Sequence, residues 1–120
     1  MRTTLLALAS LAIAGTATAE VSLSIPVDLG TQGSVHAQSY ACGEDEAFSV
    51  HYVNTDANTL AIVPLDGEDR IFVNVVSASG AKYVSGANVW WTKGDTATLE
   101  NTLDEANVSE CQAQNGAASE

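Results

Sequence analysis

The chain has 120 residues, 46% of them hydrophobic, and its 15 acidic side chains against four basic ones give a formal charge of -11. That length suits one small domain and is too short for two. So negative a molecule repels nucleic acid and anionic lipid, and its acidity serves either to steer a basic protein partner towards it or simply to keep it soluble.

In chain order, Arg2, the apolar run Leu5 to Ala14 and the small residues Gly15-Thr-Ala-Thr-Ala19 supply the charged, hydrophobic and cleavage-site parts of a secretory signal, so residues 1–19 are expected to be a signal peptide. The run is too short to span a bilayer. The first cysteine is Cys42, far from that cleavage site, so no lipid attachment point stands there. The product is expected to be periplasmic or secreted, with no membrane insertion after cleavage. Losing residues 1–19 removes Arg2 and no acid, which makes the mature chain more negative still.

Residues 20–39 form an N-terminal extension that either adds an edge strand or stays a loop. Val21, Leu23 and Ile25 alternate with serines, as a strand would, whereas Thr31 to Ser39 is small and polar and reads as a loop leading into Tyr40-Ala-Cys42. Beyond it, Phe48, Val50 and Tyr52 alternate with Ser49, His51 and Val53, and Ile71, Val73 and Val75 alternate with Phe72, Asn74 and Val76. The second set is apolar on both sides, as expected when one face meets the core and the other a neighbouring element or a partner. Turn signals separate these runs: Asn54-Thr-Asp-Ala-Asn58, Asp66-Gly67, Ser85-Gly86-Ala-Asn88 and Lys93-Gly94-Asp95.

A turn about every ten residues describes an antiparallel meander of short strands. The fold class is all-β. Closure into a small antiparallel barrel hides the strand edges most completely, with a sandwich as the alternative. Leu103 to Val108, with Asp104 and Glu105 near its start, carries a faint signal for one helical turn. Residues 112–120 are polar and alanine-rich and read as a flexible tail.

Two cysteines in an exported chain are expected to pair, and a Cys42–Cys111 bond would close most of the mature domain. On chain-entropy grounds a loop of that length stabilises the fold by about 4 kcal/mol. No Cys-x-x-Cys occurs, and His36 and His51 lie outside zinc-finger spacing, so no metal and no cofactor is expected. The acidic groups Glu44-Asp-Glu46 and Asp66-Gly-Glu-Asp69 lack the EF-hand pattern and read as solvated turns. Asn107-Val-Ser109 fits the glycosylation acceptor pattern, which has little bearing in a bacterial periplasm.

The most informative stretch is 77–94, which holds both tryptophans and two of the four basic residues, Lys82 and Lys93. Trp90 and Trp91 are neighbours on an expected strand and so face opposite ways. One belongs to the core; the other supports the Lys93 loop, contacts a partner, or offers a sugar-binding surface. Lys93 reads as a cationic tip at a strand end and Lys82 as solvated surface. Ser79-Gly-Ala-Lys82 matches the Ser-x-x-Lys pattern of penicillin-binding enzymes, but that chemistry needs serine and lysine one helical turn apart in a much larger domain. The chain is not expected to be an enzyme.

In order and spacing, Tyr40-Ala-Cys42, Phe48-Ser-Val-His-Tyr-Val-Asn54, Ser77-Ala-Ser-Gly-Ala-Lys-Tyr83, Trp90-Trp-Thr-Lys-Gly94 and Cys111 resemble the bacterial inhibitors of c-type lysozyme, the MliC/PliC family. The resemblance runs from about Tyr40 to Cys111, making 40–111 the inhibitor domain, and the missing lipid-attachment cysteine places the chain nearer the periplasmic, PliC-like branch. It implies a barrel of about eight strands, its ends tied by the disulfide, and a loop edge that plugs the lysozyme cleft.

It further implies that Ser79 and Lys93 enter the cleft; Gly80 and Gly94 are then expected to let the two tips bend, Tyr83 to brace one loop from the barrel side, and Thr92 to lend loop support. The partner would be c-type lysozyme, a basic protein, and the role protection of peptidoglycan. The alternative is an exported barrel without inhibitory activity that binds an envelope component or a sugar through Trp90 or Trp91.

Overall fold

The computed structural model describes residues 15–115. The apolar run of the expected signal peptide and the last five residues of the expected tail lie outside the described residues. Among the described residues eight strands follow one another: β1 (Ser34–Ala41), β2 (Phe48–Asn54), β3 (Thr59–Leu65), β4 (Glu68–Val75), β5 (Ala81–Ser85), β6 (Asn88–Lys93), β7 (Thr96–Asn101) and β8 (Asp104–Ala113). Each pairs antiparallel with the next, and β8 returns to β1 to close a barrel. The all-β barrel expected from the sequence is the fold observed.

The period-two pattern explains which side chains fill it. Val50 and Tyr52 of β2, Ala61 and Val63 of β3, Phe72 of β4, Tyr83 of β5, Trp90 of β6, Ala97 of β7 and Cys111 of β8 all point inwards and are buried. Their outward neighbours include a row in register, Val35 opposite Val53, Val53 opposite Leu60, Leu60 opposite Val73 and Val73 opposite Val84, cross-strand pairs that each contribute roughly 0.2–1 kcal/mol. The second apolar face of β4 belongs to this outer surface, since Ile71 and Val73 are 58% and 51% exposed while Phe72 is fully buried.

The hairpin turns fall where the sequence signals place them. Asp66 and Gly67 have φ of 54° and 79°, the pattern of a type I′ turn between β3 and β4. Gly86 before Ala87 and Gly94 before Asp95 are the positive-φ first residues of two-residue turns joining β5 to β6 and β6 to β7.

Closure uses few hydrogen bonds and one covalent bond. Tyr40 stands opposite Ala113 and Ala41 opposite Gln112, and the Gln114 amide donates to the Ser39 carbonyl at 2.8 Å. Cys42, just past β1, is bonded to Cys111 of β8 across a sequence separation of 69. Cross-linking a loop of that length stabilises the barrel by about 4 kcal/mol, at the seam where the ladder is shortest.

Inside, Trp90 is fully buried and meets the Tyr40 ring edge-on, with centroids 4.9 Å apart. Its Nε1–H donates to the Tyr52 hydroxyl at 3.0 Å, and that oxygen lies 2.8 Å from the Tyr40 hydroxyl. Burial disfavours the phenolate, so desolvation raises the pKa of Tyr40, Tyr52 and Tyr83 alike.

Four sequence expectations are corrected. Val21, Leu23 and Ile25 form no strand and are 97%, 83% and 70% exposed. A barrel that pairs its own two end strands leaves that segment no ladder to join, and Pro26 lacks an amide to donate. Ser34 to Ser39 is not a loop but most of β1, paired with β2 from Ser34–Asn54 to Tyr40–Phe48. Its polar composition follows from its place at the barrel mouth, where His36 and Gln38 need no apolar surroundings.

Residues Leu103 to Val108 form no helical turn. Leu103 is the exposed tip of the β7–β8 turn, its amide bonded to Asn101 Oδ1 at 2.9 Å, and β8 follows at once. Finally, Gln112 and Ala113 belong to β8 rather than to a tail, because the last strand must reach β1 to remove both edges.

Candidate functional site

With Trp90 facing the core, Trp91 necessarily faces out. Tyr83 faces in, so its neighbour Lys82 also faces out, and the register sets Lys82 directly opposite Trp91. Lys93 lies two residues beyond Trp91 on the same outer face. Both ammonium groups therefore reach the indole: Lys93 Nζ is 4.0 Å and Lys82 Nζ 4.9 Å from the ring centroid. The negative face of an indole attracts such cations.

The same ring holds the β4–β5 loop. Trp91 Nε1–H donates to the Ser79 carbonyl at 2.9 Å, and the Ser77 hydroxyl lies 3.1 Å from that oxygen and 3.2 Å from the Gly80 carbonyl. Gly80 has φ of 64°, and a Cβ there would collide with the Thr92 carbonyl oxygen and stand 2.9 Å from Lys93 Cγ. Gly80 thus lets the loop lie flat against the end of β6, a close approach that no other residue allows.

The Lys93 hairpin is braced from the other side. Thr96 Oγ1 donates to the Lys93 carbonyl at 2.9 Å, while the Asp95 carbonyl accepts from the Ala113 amide at 2.7 Å and from Gln112 Nε2 at 3.1 Å. A Cβ added at Gly94, whose φ is 59°, would meet nothing within 4 Å, so the role of this glycine is purely conformational.

Of the residues singled out from sequence, Ser79, Gly80, Lys93 and Gly94 gather on one outer rim, with Ser79 and Lys93 exposed. Tyr83 is buried on the barrel side, with its ring 5.7 Å from that of Tyr52, and a side-chain hydrogen bond to the Ser79 carbonyl comes from Trp91. Tyr83, Thr92 and Gly94 line the polar mouth of the barrel together with His36 and Gln38. Thr92 Oγ1 reaches the Ala81 carbonyl at 3.3 Å and so ties β6 to β5.

The residue that sequence reasoning left undecided is Trp91, and the one it set aside is Lys82. Both were reachable by counting: the two-residue turn Gly86-Ala87 pairs Ser85 with Asn88, and three steps back along each strand pair Lys82 with Trp91. Two of the few basic side chains in a chain of formal charge -11 thus share one indole. The rim offers ammonium groups and a hydroxyl to an acceptor, which suits recognition of carboxylate.

A sequence profile of the family described as membrane-bound lysozyme-inhibitor of c-type lysozyme, MliC, matches residues 40–107. The chain is similar to the membrane-bound lysozyme inhibitor of C-type lysozyme from Pseudomonas aeruginosa, 44% identical over 84 residues that make up 68% of this chain and 65% of that relative, a little under two thirds of its length. It is 38% identical over 84 residues to the inhibitor of the same name from Cupriavidus necator, covering 67% of each chain. In structure it is similar to Pseudomonas aeruginosa MliC, solved in complex with hen egg white lysozyme, with a TM-score of 0.64 and 37% identity over 81% of this chain and 99% of that one. Because the profile spans more than half of the sequence and the barrel itself is shared with a solved member, this chain belongs to the MliC family of inhibitors of c-type lysozyme.

Proposed function

We propose that this chain inhibits c-type lysozyme by filling the enzyme's active-site cleft with the Ser79 loop and the Lys93 tip, and that it thereby protects peptidoglycan. The observation that carries this reading is the convergence of both tips on Trp91, in a chain whose structural relative was solved in complex with hen egg white lysozyme.

Lysozyme cleaves its substrate with two carboxyl groups, one protonated to act as acid and one ionised. An inserted ammonium favours ionisation of the first and pairs with the second, so it opposes the protonation pattern that catalysis needs. The Ser79 hydroxyl donates and accepts hydrogen bonds beside it. Both groups also occupy the space of the sugar. Gly80 and Gly94 shape the tips, Thr92 ties β6 to its neighbour, and Tyr83 supports β5 from within the core. The protein acts by occupancy and not by catalysis.

Both cysteines of the chain are used in the disulfide, which leaves neither for acylation and favours a periplasmic or secreted, PliC-like product over an anchored one. Cell fractionation with the intact mass of the mature protein tests this: a lipid-modified mass in the membrane fraction refutes it. The sugar-binding alternative is disfavoured because the face of the outward tryptophan is taken by lysine and its Nε1–H by the Ser79 carbonyl.

Mature protein titrated into a lysozyme cell-lysis assay tests the function. Stoichiometric loss of lysis is expected; full lysis at large excess of the protein overturns the proposal.

A further inference from the structure

We infer that Trp91 is the positioning residue of the inhibitory rim, a single indole that fixes Ser79 through its Nε1–H and carries Lys93 on its face, so that two loops meet the partner as one preformed unit. This rests on the lysozyme reading above and deepens it. Nothing in core packing accounts for Trp91, since the buried tryptophan is Trp90. Its two polar capacities are instead spent on the rim: the N–H on the Ser79 carbonyl at 2.9 Å, the ring face on Lys93 Nζ at 4.0 Å.

The physical need for such a residue is clear from the positions of the tips. Ser79 lies in the β4–β5 loop and Lys93 at the β6–β7 hairpin, both exposed. A free lysine side chain and a free loop would each lose conformational freedom on binding, and that loss weakens association. Trp91 restricts both before the partner arrives.

Lys82 adds to this arrangement. Its ammonium lies 4.9 Å from the centre of the same ring, so both cations are drawn to one indole. A carboxylate brought to this rim would be attracted by both charges. The rim is thus organised for an anionic group before one arrives.

The test uses mature protein carrying Trp91→Leu or Trp91→Phe, each also combined with Lys93→Ala and with Ser79→Ala, read by the lysozyme inhibition constant, the urea unfolding midpoint and the proton chemical shifts of the lysine ε-methylenes. In the wild type the Lys93 ε-protons are expected upfield from ring current, and Trp91→Leu should abolish that shift. Trp91→Leu is expected to weaken inhibition roughly ten- to a hundredfold through loss of the cation–π contact and the hydrogen bond. Trp91→Phe keeps a ring for Lys93 but has no N–H, so it should retain the upfield shift and make a further Ser79→Ala change nearly silent.

Removing Lys93 should also cost less in the Trp91→Leu background than in the wild type, because an unpositioned lysine contributes less. Unchanged inhibition by Trp91→Leu, or effects of Trp91→Leu and Lys93→Ala that multiply independently, overturns the positioning role. Wild-type protein that fails to inhibit overturns the underlying reading instead. The unfolding midpoint separates both outcomes from a damaged fold.

Discussion

Replacing Gly80 by alanine tests whether the Ser79 loop is truly seated on β6. The added methyl meets two separate penalties. At φ of 64° the backbone lies in the left-handed region, which costs an L-residue roughly 1–2 kcal/mol. The Cβ would also collide with the Thr92 carbonyl oxygen, an atom of a strand already paired to β5, so the loop must move away. Overpacking of this kind adds about 1–3 kcal/mol, for a total of about 2–5 kcal/mol.

Gly94→Ala is the matched control. Its φ is 59° but nothing lies within 4 Å of the new methyl, so it should show only the first penalty. Urea unfolding of both variants with the disulfide intact measures the difference, and the lysozyme titration reports whether the displaced loop still engages. Gly80→Ala should be the less stable by about 1–3 kcal/mol and should lose inhibition beyond what its stability explains. Equal stability of the two variants would refute the packed loop.

Lys93→Ala should weaken inhibition by about 2–5 kcal/mol with folding intact, because the partner's carboxylates would remain buried without a cation, and Ser79→Ala by about 1–2 kcal/mol; an unchanged inhibition constant for Lys93→Ala removes that residue from the site. All three tyrosines have folded-state pKa values raised by burial, so the stability they carry is fully present below about pH 10 and is lost as pH rises through and beyond that value. Urea midpoints should therefore be flat up to about pH 9 and fall by pH 11, and the native protein should show less phenolate absorbance near pH 10 than the unfolded chain; equal absorbance of the two contradicts the buried Trp90–Tyr52–Tyr40 chain. If the formal charge of -11 steers association with a basic enzyme, rising salt should slow the on-rate far more than it alters the off-rate. A salt-independent on-rate rejects steering.

The barrel was legible where strands bury one face along their whole length. In β2, alternation of Val50 and Tyr52 with polar residues reported the lumen directly. It failed in β1, whose inward residues His36 and Gln38 sit at the wet mouth and carry no apolar signal, and it misled at Val21 to Ile25, where a strand-like pattern has no partner edge. The candidate site divides in the same way. Motifs pointed to Ser79 and Lys93, which share one rim, whereas the part played by Trp91 stayed open, because which side of the wall a residue faces depends on strand phase.

The sequence by itself determined the class of the fold, the hairpin turns at Asp66-Gly67, Gly86-Ala87 and Gly94-Asp95, the pairing of its two cysteines, and the two motifs that mark the rim. These are local properties: period-two burial, positive-φ glycines and a count of thiols. Tertiary structure alone decided which tryptophan is core and which is surface, and that Lys82, Lys93 and the Ser79 loop meet on one ring. Counting from the Gly86-Ala87 turn gives the pairing of Lys82 with Trp91, but the full meeting also depends on which face of the wall the pair occupies and on the missing Cβ of Gly80, relations between segments that composition and spacing along a single chain do not state.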